Sequence, residues 1–262
     1  MLQQSHQAMT QVALPGIIGG LGPLAHIEFE RRLIEWGVRS GARKDQDHPV
    51  WIVINATDIP DRTQSLKRET EDCTPWLIKH GRHLETAGAD FLVVTCNSAH
   101  GFYREVQNEL SIPWLHLMDC TAQSIQTKWP NAERIGILAT DGTLEHGLYE
   151  QSLSRIGLTS IHADVGSKVQ EQIMQAIYAP AWGIKSSGIW LSESSLHAIE
   201  GAMRWLKHKG AELVIIGCTE LSIAIAKLKS PPLPWIDPLD VAASLTLDLA
   251  YGHRKLQSIL VA

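Results

Sequence analysis

The sequence predicts an α/β protein built from two similar halves, each a parallel sheet flanked by helices, with a ligand cleft between them. Short apolar runs bounded by glycine or proline alternate with longer amphipathic stretches along the 262 residues, which is the pattern of a parallel sheet covered by helices. Several segments also recur in the same order about 120 residues later. Because ligands of open α/β sheets bind beyond the carboxyl ends of the strands, the site is expected where those ends meet.

The apolar runs are predicted to be strands, because a parallel strand is buried on both faces and carries apolar residues without alternation. They lie at 14–19, 50–55, 90–95, 113–118, 135–139, 212–216 and 234–236. Helical periodicity predicts helices at 24–39, 69–87, 99–110, 144–156, 168–178, 193–209 and 239–257. The elements divide into an N-terminal α/β domain over 12–118 and a C-terminal α/β domain over 119–237, without a long Pro/Gly/Ser linker.

The composition narrows the classes of function. Residues of the set AVILMFWYC make up 44% of the chain and charged residues 19%, as in ordinary globular proteins. No apolar run approaches the ~20 residues of a membrane helix and no secretory signal is visible, so we expect no membrane partner. The chain has 23 basic and 28 acidic residues and no basic block, which argues against nucleic acid. Four cysteines without a CxxC pair argue against a disulfide framework or a zinc site and favour the reduced cytoplasm.

The repeat is clearest around two cysteines. The letters GADFLVVTC end at Cys96, and GAELVIIGC ends at Cys218, 122 residues later. A second match pairs IIGGLGPLAHIEFERRL with ILATDGTLEHGLYEQSL, 120 residues later, and sets Phe29 opposite Tyr149. A third pairs two Pro-Trp dipeptides 121 residues apart. Three matches in one order at nearly one offset indicate a duplication.

Both repeated cysteines end an apolar strand and are followed by residues that suit a helix start, NSAH after Cys96 and TELS after Cys218. A thiol at a helix N-terminus feels the positive end of the helix dipole, which favours the reactive thiolate. The alternative is a small buried apolar role, the usual fate of a free cysteine. Recurrence at equivalent positions favours function. Two thiols on opposite sides of one carbon can remove a proton from one face and return one to the other, which inverts a stereocentre.

Five motifs make the chain resemble the aspartate/glutamate racemase family. They are GIIGGLGPLA from Gly16, IPDRT from Ile59, TCNSAH from Thr95, IY at 177–178 with GIK from Gly183, and GCTEL from Gly217. The resemblance covers about residues 14–250, and the opening GGLGP is closer to the aspartate racemase branch. It implies two pseudo-symmetric domains, usually a homodimer, with the C-terminal helix 238–262 returning to the first domain. It also implies a racemase that needs neither pyridoxal phosphate nor a metal.

By this resemblance Cys96 and Cys218 are the two catalytic bases, and the substrate is an acidic amino acid, aspartate more than glutamate. Arg62, in a loop after the second strand, and Lys185, in a loop after Ile177, map to carboxylate-binding positions, which suits their charge. Each is otherwise a solvated surface charge, the commonest fate of such residues. The other residues expected to bind substrate are Leu21, Asn97, Ser98, Ala99, Thr219 and Glu220.

Departures from the family pattern concern substrate identity more than reaction type. Ser98 stands where threonine is common, and His26 stands where threonine or serine is usual. A diacid isomerase and a hydantoin-type racemase of the same superfamily therefore remain alternatives. A non-catalytic protein that binds an acidic amino acid is the alternative from another class, and it would not exchange the Cα proton. The roles of His26 and His146 are left open, and Cys73 and Cys120 are expected to be structural.

Overall fold

Two parallel sheets organise the chain in the computed structural model, which describes residues 10–259. The strands are β1 (Pro15–Gly19), β2 (Ile52–Asn55), β3 (Phe91–Val94), β4 (Arg134–Ala139), β5 (Thr159–Ile161), β6 (Leu213–Gly217) and β7 (Trp235–Ile236). The first sheet has the order β2-β1-β3 and the second has the order β5-β4-β6-β7. The predicted α/β class, with parallel sheets flanked by helices, is therefore confirmed.

Helices follow the strands and cover both faces of each sheet. They are α1 (Pro23–Arg39), α2 (Arg62–Leu66), α3 (Thr74–Thr86), α4 (Tyr103–Gln107), α5 (Leu117–Lys128), α6 (Asp141–Glu145), α7 (Leu148–Ser154), α8 (Lys168–Tyr178), α9 (Ile184–Ser187), α10 (Glu193–His208), α11 (Thr219–Ile225) and α12 (Pro238–Ala250). Turns of 3-10 helix lie at Asp45–Asp47, Ser98–Phe102 and Leu256–Ile259. Between residues 10 and 259, no helix is long and apolar enough to cross a membrane.

The sequence repeat is also a structural repeat. β1, β2 and β3 occupy the same places in their sheet as β4, β5 and β6 do in theirs. Trp114 makes an isolated parallel bridge to Leu92 of β3. In the second half, Trp235 pairs in parallel with Val214 of β6. Leu92 and Val214 are 122 residues apart and the two tryptophans 121 apart, the offsets seen in the sequence.

The halves share one apolar core, which lies between the two sheets. It contains Ile17 of β1, Ile137 of β4 and Ile215 of β6, together with side chains of α1, α5, α7 and α12. Burying one such side chain stabilises the fold by roughly 1.5–3 kcal/mol. α12 packs mainly against α1 and α5, and the assignment of this C-terminal helix to the first domain stays a prediction. Residues 260–262 of the predicted segment 238–262 lie outside the described residues.

Several predicted elements differ in the structure. The strand predicted at 113–118 is a single bridge at Trp114, because α5 already begins at Leu117. The helix predicted at 144–156 is divided into α6 and α7, since Gly147 adopts the left-handed conformation with φ of 57°. The helix predicted at 239–257 ends at Ala250, shortly before Gly252 with φ of 71°.

Other differences concern short elements. The helix predicted at 69–87 begins only at Thr74, and the one predicted at 99–110 starts as a 3-10 turn before α4. The predicted ranges leave out one strand and four helices: β5, α2, α5, α9 and α11. The predicted boundary at 118/119 falls within the first turn of α5, and the division into domains stays a prediction.

Candidate active site

The two repeated cysteines lie at the carboxyl ends of the strands β3 and β6 and open on one cleft. Cys96 follows β3 after one intervening threonine, and Cys218 caps the N-terminus of α11 directly after β6. Both are nearly buried, with 7% and 5% exposure. The walls of the cleft approach so closely that its centre has room for about one water molecule.

Most of the predicted site residues line this cleft. They are Leu21, Arg62, Cys96, Asn97, Ser98, Lys185, Cys218, Thr219 and Glu220. Ala99 does not line it, because its side chain is fully buried in the apolar core of the first half. Arg62 and Lys185 were predicted in loops but lie on the short helices α2 and α9.

Three further lining residues were not assigned from the sequence: Thr63, Thr140 and Tyr178. Thr140 directly follows β4, the strand that corresponds to β1. The repeat could therefore have indicated from the sequence that Thr140 lies near the site. Tyr178 belongs to the IY motif that contributed to the family resemblance, and Thr63 follows Arg62 in the IPDRT motif.

Arg62 is a buried cation fixed beside Cys96. Its Nη2 donates to the Leu21 carbonyl at 2.6 Å and its Nη1 to the Pro60 carbonyl at 2.8 Å. Burial alone would lower the pKa of Arg62, but its electrostatic interactions with Cys96 and Asp61 raise it overall. The guanidinium is therefore charged. Its Nε is buried and has no hydrogen-bond partner within residues 10–259.

Glu220 connects Cys218 to Lys185. The Cys218 Sγ donates to Glu220 Oε2 at 3.2 Å, and the Lys185 Nζ donates to Oε1 of the same carboxylate. Burial, followed by the charge of Glu220, raises the pKa of the Cys218 thiol well above its ordinary value. Burial alone would raise the pKa of Glu220, but Lys185 lowers it overall. Glu220 is thus ionised and Cys218 is a thiol at neutral pH.

The turn after Cys96 is tied to the second half by hydrogen bonds. The Tyr149 hydroxyl of α7 donates to Asn97 Oδ1. The Ser98 hydroxyl lies 2.9 Å from that of Thr140 and 3.0 Å from that of Thr143. These contacts hold the Cys96 wall of the cleft against the second half.

Two histidines near the glycine-rich loop and Cys96 support the backbone. His26 Nδ1 accepts from the Gly20 amide at 3.2 Å, and a Cβ at Gly19 would lie 2.5 Å from the His26 ring. Burial lowers the pKa of His26, although Glu30 opposes the shift, and the neutral ring suits an acceptor. His100 Nδ1 donates to the Cys96 carbonyl at 2.9 Å, while its Nε2 accepts from the Leu117 amide at 3.2 Å.

The remaining candidates do not line the cleft. His146 Nδ1 donates to the Gly142 carbonyl at 3.1 Å, and His146 is the C-cap residue of α6. Cys73 Sγ donates to the Pro60 carbonyl at 3.4 Å, and burial raises the pKa of Cys120 to about 12. Within residues 10–259, no three histidine, cysteine or carboxylate side chains are grouped so that they could hold a metal ion.

Known proteins resemble this chain over nearly its whole length. Residues 18–246 match the family model described as Asp/Glu/Hydantoin racemase. Over 249 residues the chain is 27% identical to the broad specificity amino-acid racemase RacX of Bacillus subtilis, covering 92% of this chain and 99% of RacX.

Solved structures show the same fold. The Picrophilus torridus aspartate racemase superposes with a TM-score of 0.76 at 24% identity, covering 92% of this chain and 95% of that one. The glutamate racemase isoform RacE1 of Bacillus anthracis gives a TM-score of 0.62 at 17% identity, covering 94% and 84%. The assignment of the chain to a family rests on the extent of the match to the family model. The chain belongs to the Asp/Glu/hydantoin racemase family and is an isomerase of the amino-acid racemase type.

Proposed function

We propose that this racemase inverts the Cα of an acidic amino acid, aspartate more than glutamate, by proton transfer between Cys96 and Cys218. The supporting observation is that equivalent strands of the two halves bring both thiols to one cleft. One thiolate takes the Cα proton while the opposite thiol gives its proton to the other face of the carbanion. The inverted product leaves the proton on the first cysteine and the negative charge on the second.

The two cysteines have opposite charges beside them. Arg62 places a buried positive charge near Cys96, whereas the ionised Glu220 accepts a hydrogen bond from Cys218. We therefore assign Cys218 as the proton donor and Cys96 as the base of the resting enzyme. The roles are exchanged after one turnover. Until that exchange is reversed, the enzyme is ready only for the opposite enantiomer.

Substrate carboxylates need cationic or N–H partners. Arg62 supports one such contact, through the Nε that has no partner among the described residues. Lys185 already pairs with Glu220, so a side-chain carboxylate would have to share or displace that contact. The substrate ammonium group, in turn, complements the Glu220 carboxylate.

The Lys185–Glu220 pair also favours a second candidate, racemization of amino acids with neutral side chains. Glu220 balances the charge of Lys185, so the remaining positive charge in the cleft is that of Arg62. This single charge suits an amino acid whose only carboxylate is the α-carboxylate. The relative RacX is described as having broad specificity, which is consistent with this candidate. Both candidates share the two-thiol reaction and differ in the side chain accepted.

The experiment is a panel assay of Cα proton exchange by NMR in deuterated buffer. It uses both enantiomers of aspartate, glutamate, alanine and lysine. Exchange with inversion that is fastest for aspartate supports the first candidate, and equal or faster exchange for alanine supports the second. Absence of exchange for the whole panel overturns both and favours a hydantoin, another diacid or a binding protein. The Cys120→Ala variant, assayed with the same panel, should behave like the wild type, because Cys120 does not line the cleft.

Substrate binding requires part of the cleft lining to move, because the closed centre is much smaller than an amino acid. Closure afterwards excludes water from the carbanion. We further propose a homodimer, which sedimentation velocity tests. The reduced cytoplasm remains the proposed location, because it keeps thiols such as the four described cysteines free.

A further inference from the structure

We propose that Tyr149 is a positioning residue: its hydroxyl fixes the carboxamide of Asn97 so that the Asn97 Nδ2 faces the α-carboxylate of the substrate. This inference rests on the function proposed above, because it requires an amino acid in the cleft. It does not depend on which side chain that amino acid has. Tyr149 itself does not line the cleft, so it acts through Asn97.

The first observation is the hydrogen bond between the two side chains. The Tyr149 hydroxyl donates to Asn97 Oδ1, and this contact joins the two halves of the molecule. Tyr149 is 1% exposed, and burial raises its pKa well above the ordinary value, so the hydroxyl keeps its proton. A carboxamide whose oxygen accepts from a fixed donor must present its NH₂ group on the other side.

The second observation is the unpaired nitrogen of that carboxamide. Asn97 is 3% exposed and lines the cleft, and its Nδ2 has no hydrogen-bond partner within residues 10–259. Buried polar groups are nearly always hydrogen-bonded, so a donor left without a partner at a cleft wall indicates an acceptor that arrives with the ligand. A carboxylate oxygen is an acceptor that every amino-acid substrate carries.

The third observation is the difference between the two halves. The sequence repeat sets Phe29 opposite Tyr149 and Thr219 opposite Asn97. The ring opposite Tyr149 in the repeat thus has no hydroxyl, and the residue opposite Asn97 has no carboxamide. A general packing role would be served by phenylalanine in both places, since the two rings are both almost fully buried.

The ring of Tyr149 also fixes the position of its hydroxyl. A Cβ at Gly217, the residue before Cys218, would lie only 3.0 Å from Tyr149 Cε2. The ring therefore packs directly against the backbone that leads to the second thiol. Its hydroxyl end reaches the residue after the first thiol. One side chain thus supports both cysteine segments.

The Tyr149→Phe variant tests the inference, because it removes the hydroxyl and keeps the ring. Without the donor, the Asn97 carboxamide can turn and present its oxygen to the substrate carboxylate. We expect KM to rise roughly tenfold or more with a much smaller change in kcat. We also expect the side-chain NH₂ signals of Asn97 to shift in ¹⁵N NMR of the free protein. Tyr251→Phe is the matched control, since the buried Tyr251 hydroxyl donates to the Asp47 carbonyl at 2.6 Å, outside the cleft.

A double-substitution cycle separates positioning from general packing. If Tyr149 acts through Asn97, Tyr149→Phe will leave KM unchanged in the Asn97→Ala background. An equal rise of KM in both backgrounds would overturn the inference, as would an unchanged KM and unchanged Asn97 signals in the single variant. Thermal melting checks that each variant is folded. The assay uses whichever amino acid the wild type racemizes, so inactivity on aspartate and glutamate refutes the proposed substrate and not this inference. The NMR comparison needs no activity.

Discussion

The thiol of Cys218 donates a hydrogen bond to the carboxylate of Glu220 at 3.2 Å. The equivalent position after Cys96 is Ser98, which has no charge. The halves are therefore alike in the placement of their thiols and unlike in the charge beside them. The proposed proton transfer therefore has unequal surroundings at its two ends, with a carboxylate beside Cys218 alone of the two thiols.

The Glu220→Gln variant should lower the pKa of Cys218. Burial is the first cause of the raised pKa of this thiol and the charge of Glu220 is the second, and the substitution removes only the second. The ¹³Cβ chemical shift of Cys218 followed against pH measures the change. Glu212→Gln is the control, because Glu212 is exposed and pairs with Arg134 instead. An unchanged Cys218 titration would contradict an effect of the Glu220 charge on this thiol.

The Lys185→Gln variant should discriminate between the two candidate substrate classes. If Lys185 receives a side-chain carboxylate, KM for aspartate should rise roughly tenfold or more, while KM for alanine should change little. If Lys185 only balances the charge of Glu220, both KM values should change by a similar factor. Steady-state racemization by polarimetry measures both constants. Lys79→Gln, at a partly exposed surface pair with Asp58, is the control.

Stability should fall in acid because of His100. Burial, followed by the nearby His116, lowers the pKa of His100 to about 3 from 6.5. Between these values the unfolded chain binds a proton that the folded chain does not, so the stability contribution is complete above about pH 6.5 and is lost as the pH falls. The slope is about 1.4 kcal/mol per pH unit for one proton.

Guanidinium unfolding at several pH values between 7 and 4 measures this dependence. The His100→Gln variant is expected to lose stability at pH 7, because the bonds to the Cys96 carbonyl and the Leu117 amide are disturbed. Its stability should then depend less steeply on pH than that of the wild type. Parallel pH profiles for the two proteins would show that His100 is not the group responsible.

The positions of Cys96 and Cys218 could be predicted from the sequence because they depend on local signals. Each ends a short apolar run that can only be a buried strand, and the repeat gives the two runs the same place in their sheets. The topology places the ends of such strands at one edge of each sheet. The cleft and most of its lining residues follow from this arrangement.

Other features depend on contacts between distant segments. Tyr149 and Asn97 are 52 residues apart, and neither side chain carries a local signal of their hydrogen bond. Lys185 and Glu220 are likewise 35 residues apart, and neither carries a local signal of their contact. The 3-10 turn directs the side chain of Ala99 into the core, and the expected contact of this residue with substrate stays a prediction. Such details depend on packing, which periodicity and motif spacing do not encode.

In the proposed reaction both thiols transfer protons at one carbon. Its most direct test is ¹H NMR of Cα exchange in deuterated buffer, starting from each enantiomer separately, with Cys96→Ser, Cys218→Ser and the Cys120→Ala control. We expect inversion with deuterium incorporation for the wild type and the control, and loss of inversion in both directions for each serine variant. Full racemization by either serine variant would contradict the two-thiol reaction.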